Sequence, residues 1–240
     1  MWSSIKNIQF PETLAEAGNL AAQKNAAIFS GGTYLAAQRD QSVLSLVDIN
    51  KLVTKKIDYS HGKLYCGAGA TLQDLIDFFS KDDKHHLAAA ARWSCASKNI
   101  RNQRTIGGEI AQGRCNSEVV VGISALNAQL EMKERRIITG LNIDLATVNT
   151  IHLERFAVLP SAPAFVIVVG VKRGVKIRIV IGGQARQLTM RDISEKEFDD
   201  QLIDNLSISA VDNFDDDHLG TRTYKQAVIR TGLQRVKGVL

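Results

Sequence analysis

Two short glycine pairs, "FSGGT" at Phe29–Thr33 and "TIGG" at Thr105–Gly108, limit what this chain can fold into more than any other feature. The first interrupts an apolar run that begins at Ala26. Glycine has no Cβ, so a strand-to-helix junction built on it lets a phosphate come close to bare backbone, with N–H groups pointing at the anion. Two such turns in one chain can hold a diphosphate between them.

The rest of the composition is that of a folded domain. With 240 residues, 45% hydrophobic and 23% charged, the chain has enough apolar surface for one domain or two small ones. No apolar run approaches the roughly 20 residues that cross a bilayer, and no N-terminal stretch pairs a basic region with an apolar core as a signal peptide does. The expectation is a cytoplasmic protein without a membrane span. Cys66, Cys95 and Cys115 lie far apart with no CxxC spacing, which argues against zinc or a chain-encoded iron–sulfur cluster. His85 and His86 are adjacent, so their side chains diverge and no metal site is expected. A net charge of +5 admits an acidic partner or a phosphate ligand. The basic residues are scattered and aromatics sparse, so no nucleic-acid surface is expected.

"PETLAEAGNLAAQK" places Leu14, Ala17, Leu20 and Ala21 on one helical face, with Thr13 and Glu16 as a capping box, and predicts a helix of about eleven residues ending near Asn25. "AAIFSGGT" reads as a buried strand entering the first glycine turn, and "VLSLVDIN" as a second strand. Together they predict an α/β unit over residues 1–54. "HG" at His61–Gly62 marks a hairpin, and Thr71 caps a helix bearing Leu72, Leu75, Ile76 and Phe79. "CGAGAT" resembles a fragment of a dinucleotide fingerprint, yet Leu72 stands where the third glycine belongs. From "HHLAAAARW" to "NQR" the chain reads as an irregular loop rich in Asn and Arg. It is followed by the second glycine turn, an apolar helix over Val119–Leu126 and the strand "AQLEM". "AFVIVVGVKRGVKIRIVIGGQA" is a hairpin around "KRG". The acidic segment from Asp192 to Asp217 reads as a solvated helix and loop, and the tail from Thr223 as a helix. A division near residue 155 is expected.

With both turns placed, the chain resembles the FAD-binding medium subunit of molybdenum hydroxylases, the family of the carbon monoxide dehydrogenase medium subunit and the xanthine dehydrogenase flavin domain. "FSGGTYL" is similar to that family's "AGGTDL" turn and "NIRNQRTIGGEIA" to its "IRNxxTIGGNLA" turn. "FPETLAEAGNLA", "GAGATLQDLI", "KIRIVIGGQAR" and "YKQAVIR" follow in the family's order. The resemblance implies an α+β protein with a vanillyl-alcohol-oxidase-type FAD-binding fold. Two α/β subdomains, residues 1–54 and 55–155, would grip FAD, followed by a small C-terminal sheet-plus-helix domain over 156–240. It further implies diphosphate contacts from Ser30, Gly31, Gly32 and Thr33, with Tyr34 just beyond. From the second turn it implies Thr105, Gly107, Gly108, Glu109 and Gln112, and Glu118 toward the adenosine ribose.

Three departures stand out. Tyr34 replaces the usual acid of the first turn, and Glu109 the usual asparagine of the second. A carboxylate beside a diphosphate repels it unless a basic neighbour intervenes, and Arg101, Arg104 and Arg114 are the candidates. The third is length: between "AQLEM" and "VIVVGV" the family carries a longer segment whose basic "KxxRR" stretch packs near the flavin ring. The implied function is an FAD-binding electron-transfer subunit, an oxidoreductase component resembling xanthine dehydrogenase. It would take electrons from a [2Fe-2S] small subunit beside a molybdenum-cofactor large subunit and deliver them to NAD or another acceptor, with no catalytic nucleophile or base of its own. Two alternatives stay open: an assembly subunit that keeps the fold without flavin, and a nucleotide-binding module without redox function.

Overall fold

The computed structural model describes residues 2–80, 86–134 and 136–240. The first unit contains β1 (Asn7–Gln9), α1 (Leu14–Ala21), β2 (Ala26–Phe29), α2 (Thr33–Gln38) and β3 (Ser45–Asp48). Its sheet is parallel in the order β1-β3-β2. Helix α1 is shorter than its composition predicts. Thr13 Oγ1 accepts the Glu16 N–H, but the Glu16 carboxylate accepts from Glu12 N instead of closing the box on Thr13. Asn25 adopts φ 65° to turn the chain into β2, and that left-handed residue ends any helical continuation.

The second unit comprises β4 (Ile57–Ser60), β5 (Lys63–Gly67), α3 (Leu72–Phe78), α4 (His86–Ser94), α5 (Lys98–Arg101), α6 (Ile106–Gln112), α7 (Glu118–Ala125), β6 (Gln129–Lys133) and β7 (Ile137–Asp144). Its antiparallel sheet runs β4-β5-β7-β6. His61 and Gly62 both have positive φ, as a two-residue hairpin turn requires. Thr71 and Asp74 form a complete capping box on α3. The segment expected as an irregular loop instead forms α4 and α5. Leu87, Ala88, Ala90 and Ala91 give α4 a buried apolar face, and alanine is the strongest helix former. His86 begins that helix, while His85 lies outside the described residues.

The third unit holds β8 (Thr150–Phe156), β9 (Val166–Arg173), β10 (Lys176–Gly183), β11 (Thr189–Ser194), a 3-10 turn, α8 (Asp200–Val211) and α9 (Arg222–Val239). Its antiparallel sheet runs β11-β10-β9-β8, so the strand from Thr150 belongs with it, ahead of residue 155. The sheet is covered on both faces, which is why its central strand β9 reads as a continuous apolar run. Ile167, Val169 and Val171 pack into the core shared with α7, whereas Val166 and Val168 face the core under α8 and α9, the period-two alternation of a strand. The acidic segment is only half solvated. Asp192 lies in β11, and α8 buries Ile203, Leu206, Ala210 and Val211. Among the described residues no helix is long and apolar enough to cross a membrane.

Cys66 sits in β5 at 2% exposure, and burial pushes its thiol up to about 12. Cys95 and Cys115 are partly exposed. A thiol reagent at pH 8 is expected to modify the partly exposed Cys95 and Cys115 in the folded protein, Cys115 at a rate slowed by the burial that raises its thiol, and Cys66 only after denaturation, because the thiolate is the reactive form. Mass mapping of labelled peptides checks this; early labelling of Cys66 would contradict the packing of β5.

Candidate functional site

The two glycine turns meet in one cleft between the first and second units. Ser30, Gly31, Gly32, Thr33 and Tyr34 line one wall, and Thr105, Gly107, Gly108, Glu109 and Gln112 the other. Apolar side chains including Ile28, Leu35, Ile49, Val53 and Ile137 complete it.

The first turn is held from beneath. Ser30 Oγ donates to Asn50 Oδ1 at 3.0 Å, and Asn50 Nδ2 donates to the Ser30 carbonyl and to Asp48 Oδ1. Gly32 has φ 66°, and a Cβ there would stand 2.2 Å from the Phe29 ring. At Gly31 a Cβ would stand 1.8 Å from the Gln103 carbonyl oxygen. Both glycines are therefore demanded by the protein's own packing before any ligand arrives. At the start of α2 the N–H groups of Gly32, Thr33, Tyr34 and Leu35 find no protein acceptor among the described residues. Four unpaired donors at one wall suit an anion.

The second turn differs. Thr105 caps α6 by accepting the Gly108 N–H, Ile106 N donates to the Ala70 carbonyl, Gly107 N to the Ala68 carbonyl and Glu109 N to the Thr105 carbonyl. Its amides are engaged, and "GAGAT" at Gly67–Thr71 is the ledge on which it docks rather than a dinucleotide fingerprint. A Cβ on Gly107 would stand 2.7 Å from that of Ala68, whereas one on Gly108 would meet only Thr105 Oγ1, at 2.9 Å. Gly108 is the glycine of this turn with open space beside it.

The carboxylate of Glu109 is 2% exposed and neutralised from two sides. Arg114 Nη2 donates to Oε1 at 2.5 Å, and Arg104 Nε lies 3.5 Å from Oε2. Arg101 is not a neighbour; its guanidinium binds Gln73 Oε1 and the carbonyls of Cys95 and Ala96, closing the end of α4. Arg104, Arg114 and Arg136 line the cleft against the single carboxylate of Glu109, leaving a surplus of positive charge that matches a diphosphate. Open donors, positive surplus and apolar walls together fit a dinucleotide.

Glu118 does not reach the cleft. It begins α7 with 1% of its side chain exposed, accepts Arg155 Nε at 2.8 Å on Oε1, and accepts Ser94 Oγ at 3.2 Å on Oε2. Its carboxyl is raised above the ordinary range by burial, against the opposing pull of Arg155 and Ser94. The expected role toward a ribose is corrected on that geometry: Oε1 serves a buried ion pair with Arg155, Oε2 accepts the Ser94 hydroxyl, and the residue is not among those lining the cleft. Sequence reasoning missed Asn50 and Arg136, which carry no local motif and become visible only when β3 and β7 are placed against the turns.

Residues 4–144 match the family described as FAD binding domain in molybdopterin dehydrogenase. Over 112 residues, 45% of the chain, the sequence is 32% identical to Uncharacterized protein YgfM of Escherichia coli (strain K12); that match spans 41% of the relative's length. Among solved structures, carbon monoxide dehydrogenase from Hydrogenophaga pseudoflava aligns with TM-score 0.77 at 18% identity, covering 98% of this chain and 96% of that one. Quinoline 2-oxidoreductase from Pseudomonas putida 86 aligns with TM-score 0.71 at 19% identity, covering 96% and 95%. These structural likenesses show that the α+β fold extends through all three units. The family match itself runs through more than half of the chain, and its span holds both glycine turns and every residue of the cleft: the protein belongs to the FAD-binding domain family of molybdopterin dehydrogenases, with FAD as its cofactor.

Proposed function

We propose that this chain is the FAD-binding electron-transfer subunit of a molybdenum hydroxylase complex resembling xanthine dehydrogenase. Its partners would be a molybdenum-cofactor large subunit and a [2Fe-2S] small subunit, with NAD or another acceptor taking the electrons. The observation that carries the reading is the cleft in which the open amides of the first turn face the second turn across a positively charged gap. FAD when bound supplies the redox chemistry that joins one-electron donors to a two-electron acceptor. The chain's own residues bind and orient. The amides of Gly32, Thr33 and Tyr34 would hold the diphosphate, with Ser30 fixed by Asn50 setting the turn. Thr105 would fix the N-terminus of α6, Gly108 would leave room beside it, and Gln112 would add a polar group one turn on.

The flavin-free assembly reading rests on Tyr34, Glu109 and the segment expected to be shortened. Its strongest ground, a carboxylate facing a diphosphate, is weakened because Arg104 and Arg114 already pair with Glu109. The two readings separate on the flavin released when the purified protein is denatured and chromatographed. FAD is the expected product. Recovery of FMN alone, or of no flavin after reconstitution with excess FAD, would overturn the proposal.

A further inference from the structure

Arg114 makes contacts at both glycine turns. Its Nη2 donates to Glu109 in the second turn, and its guanidinium carbon lies 6.0 Å from the centroid of the Tyr34 ring beyond the first, within reach of a cation–π attraction. Tyr34 and Glu109 are the two positions at which the turns depart from the pattern they resemble. The structure makes them one unit, with Arg114 between them.

The backbone that carries Arg114 is fixed on both sides. Gly113 ends α6 with φ 57°, and the Cys115 carbonyl accepts the N–H of Gly183 at 2.7 Å. Gly182 allows this approach, since a Cβ there would stand 2.5 Å from the same carbonyl. The pair "GG" at the end of β10 thus anchors the loop that presents Arg114 to the cleft. That loop cannot carry the side chain elsewhere without undocking from the third unit.

The guanidinium is nonetheless underused. It has five N–H donors, and among the described residues its one hydrogen bond to a side chain is that to Glu109. Its Nε is, among the described residues, a buried side-chain polar atom without a hydrogen-bond partner. Folded proteins seldom leave a buried donor unpaired, and a charged one is the costliest to leave so. The side chain as a whole is about a third exposed and lines the cleft across from the open amides of the first turn, so an anion held by those amides is within reach of its remaining donors.

We propose that Arg114 is a cofactor-binding residue of this chain, its guanidinium, steadied by Glu109 and the Tyr34 ring, donating to the diphosphate of the bound dinucleotide. The inference rests on the FAD reading and deepens it. A planar guanidinium can pair with phosphate oxygens through two parallel donors, which an ammonium cannot. Glu109 is then a positioning residue: it tilts Arg114 without spending more than one donor on the pair.

The test compares wild type with Arg114→Gln and Arg114→Lys in full-length protein. Affinity is measured by titration with FAD, with ADP and with adenosine, at low and at moderate salt, and thermal unfolding is measured without ligand. Arg114→Gln leaves the buried Glu109 carboxylate to Arg104 alone, so it is expected to melt below the ligand-free wild type while remaining folded, and to lose about tenfold or more in affinity for FAD and ADP alike. Its affinity for adenosine, which has no phosphate, is expected to stay unchanged. The salt dependence of ADP binding becomes shallower, because one cation is gone. Arg114→Lys restores the salt dependence but only part of the affinity. Unchanged ADP affinity in Arg114→Gln would overturn the proposal, as would an equal loss for adenosine, which would mark Arg114 as a latch between the units. If Arg114→Gln fails to fold, Arg114→Lys decides: full wild-type affinity for ADP overturns a role for the planar fork. Wild-type protein that binds neither FAD nor ADP would sink the FAD reading itself, a result read before any variant is made.

Discussion

Replacing Gly31 with alanine is expected to lower stability by about 3 kcal/mol or more, the upper end of the range for overpacking, and to abolish FAD binding with it. The new Cβ would lie 1.8 Å from the Gln103 carbonyl oxygen, 2.9 Å from the Gln103 carbonyl carbon and 3.2 Å from Thr105 N. All three are backbone atoms, so no rotamer change relieves the clash. The two units must move apart at the point where their turns touch, and the cleft opens with them. Gly108→Ala is the informative contrast. Its Cβ would meet Thr105 Oγ1 at 2.9 Å and nothing else within reach, and a hydroxyl can rotate away at the cost of its cap, about 1 kcal/mol. Denaturant midpoints and flavin content measured together separate the two. A Gly31→Ala protein with a wild-type midpoint would mean that the turns do not pack on each other.

That contrast shows how far the glycine pairs could be read without a structure. "SGGT" and "TIGG" announced backbone needed bare, and both turns do line one cleft. What the pairs did not disclose was which glycine serves the protein and which leaves room for a ligand. Gly31 and Gly107 are fixed by contacts with Gln103 and Ala68, partners far away or on another element. The misread helices have local causes. In α4 the buried face is mostly alanine, so its apolar periodicity is faint beside the Asn and Arg that follow. In α8, Ile203, Leu206 and Ala210 keep helical spacing within an acidic background that reads as solvent-facing. Glu118 failed for a different reason. A glutamate nine residues beyond Glu109 can point into the cleft or beneath α7, and Arg155, on a strand of the third unit, decides the matter. The coupling of Tyr34, Glu109 and Arg114 depends likewise on the left-handed turn at Gly113, which swings Arg114 back over α6.

Arg155→Met is expected to be severely damaging although it lies outside the cleft, costing about 3–5 kcal/mol near neutral pH, the range for breaking one side of a buried ion pair. Arg155 donates Nε to Glu118, Nη1 to the Pro160 carbonyl and Nη2 to the Ala162 carbonyl. It therefore joins α7 to the segment leading into β9. Without it, Ser94 Oγ and the start of its own helix are what compensate Glu118 among the described residues. Burial already raises the Glu118 carboxyl above 4.5, and Arg155 is among the groups that hold it down. Removing Arg155 raises it further. Between the unfolded value and that raised folded value the native state binds more protons than the unfolded chain, so stability falls as pH rises through the window. The deficit of Arg155→Met relative to wild type is accordingly expected to shrink on going from pH 7 to pH 5, where the stranded carboxylate takes up a proton. In the double variant Glu118→Gln, Arg155→Met that pH dependence should vanish, because no charge is left to strand. Denaturant titrations of wild type and both variants at the two pH values test this. A deficit equal at both would show that the loss comes from the two carbonyls Arg155 caps and not from a buried charge.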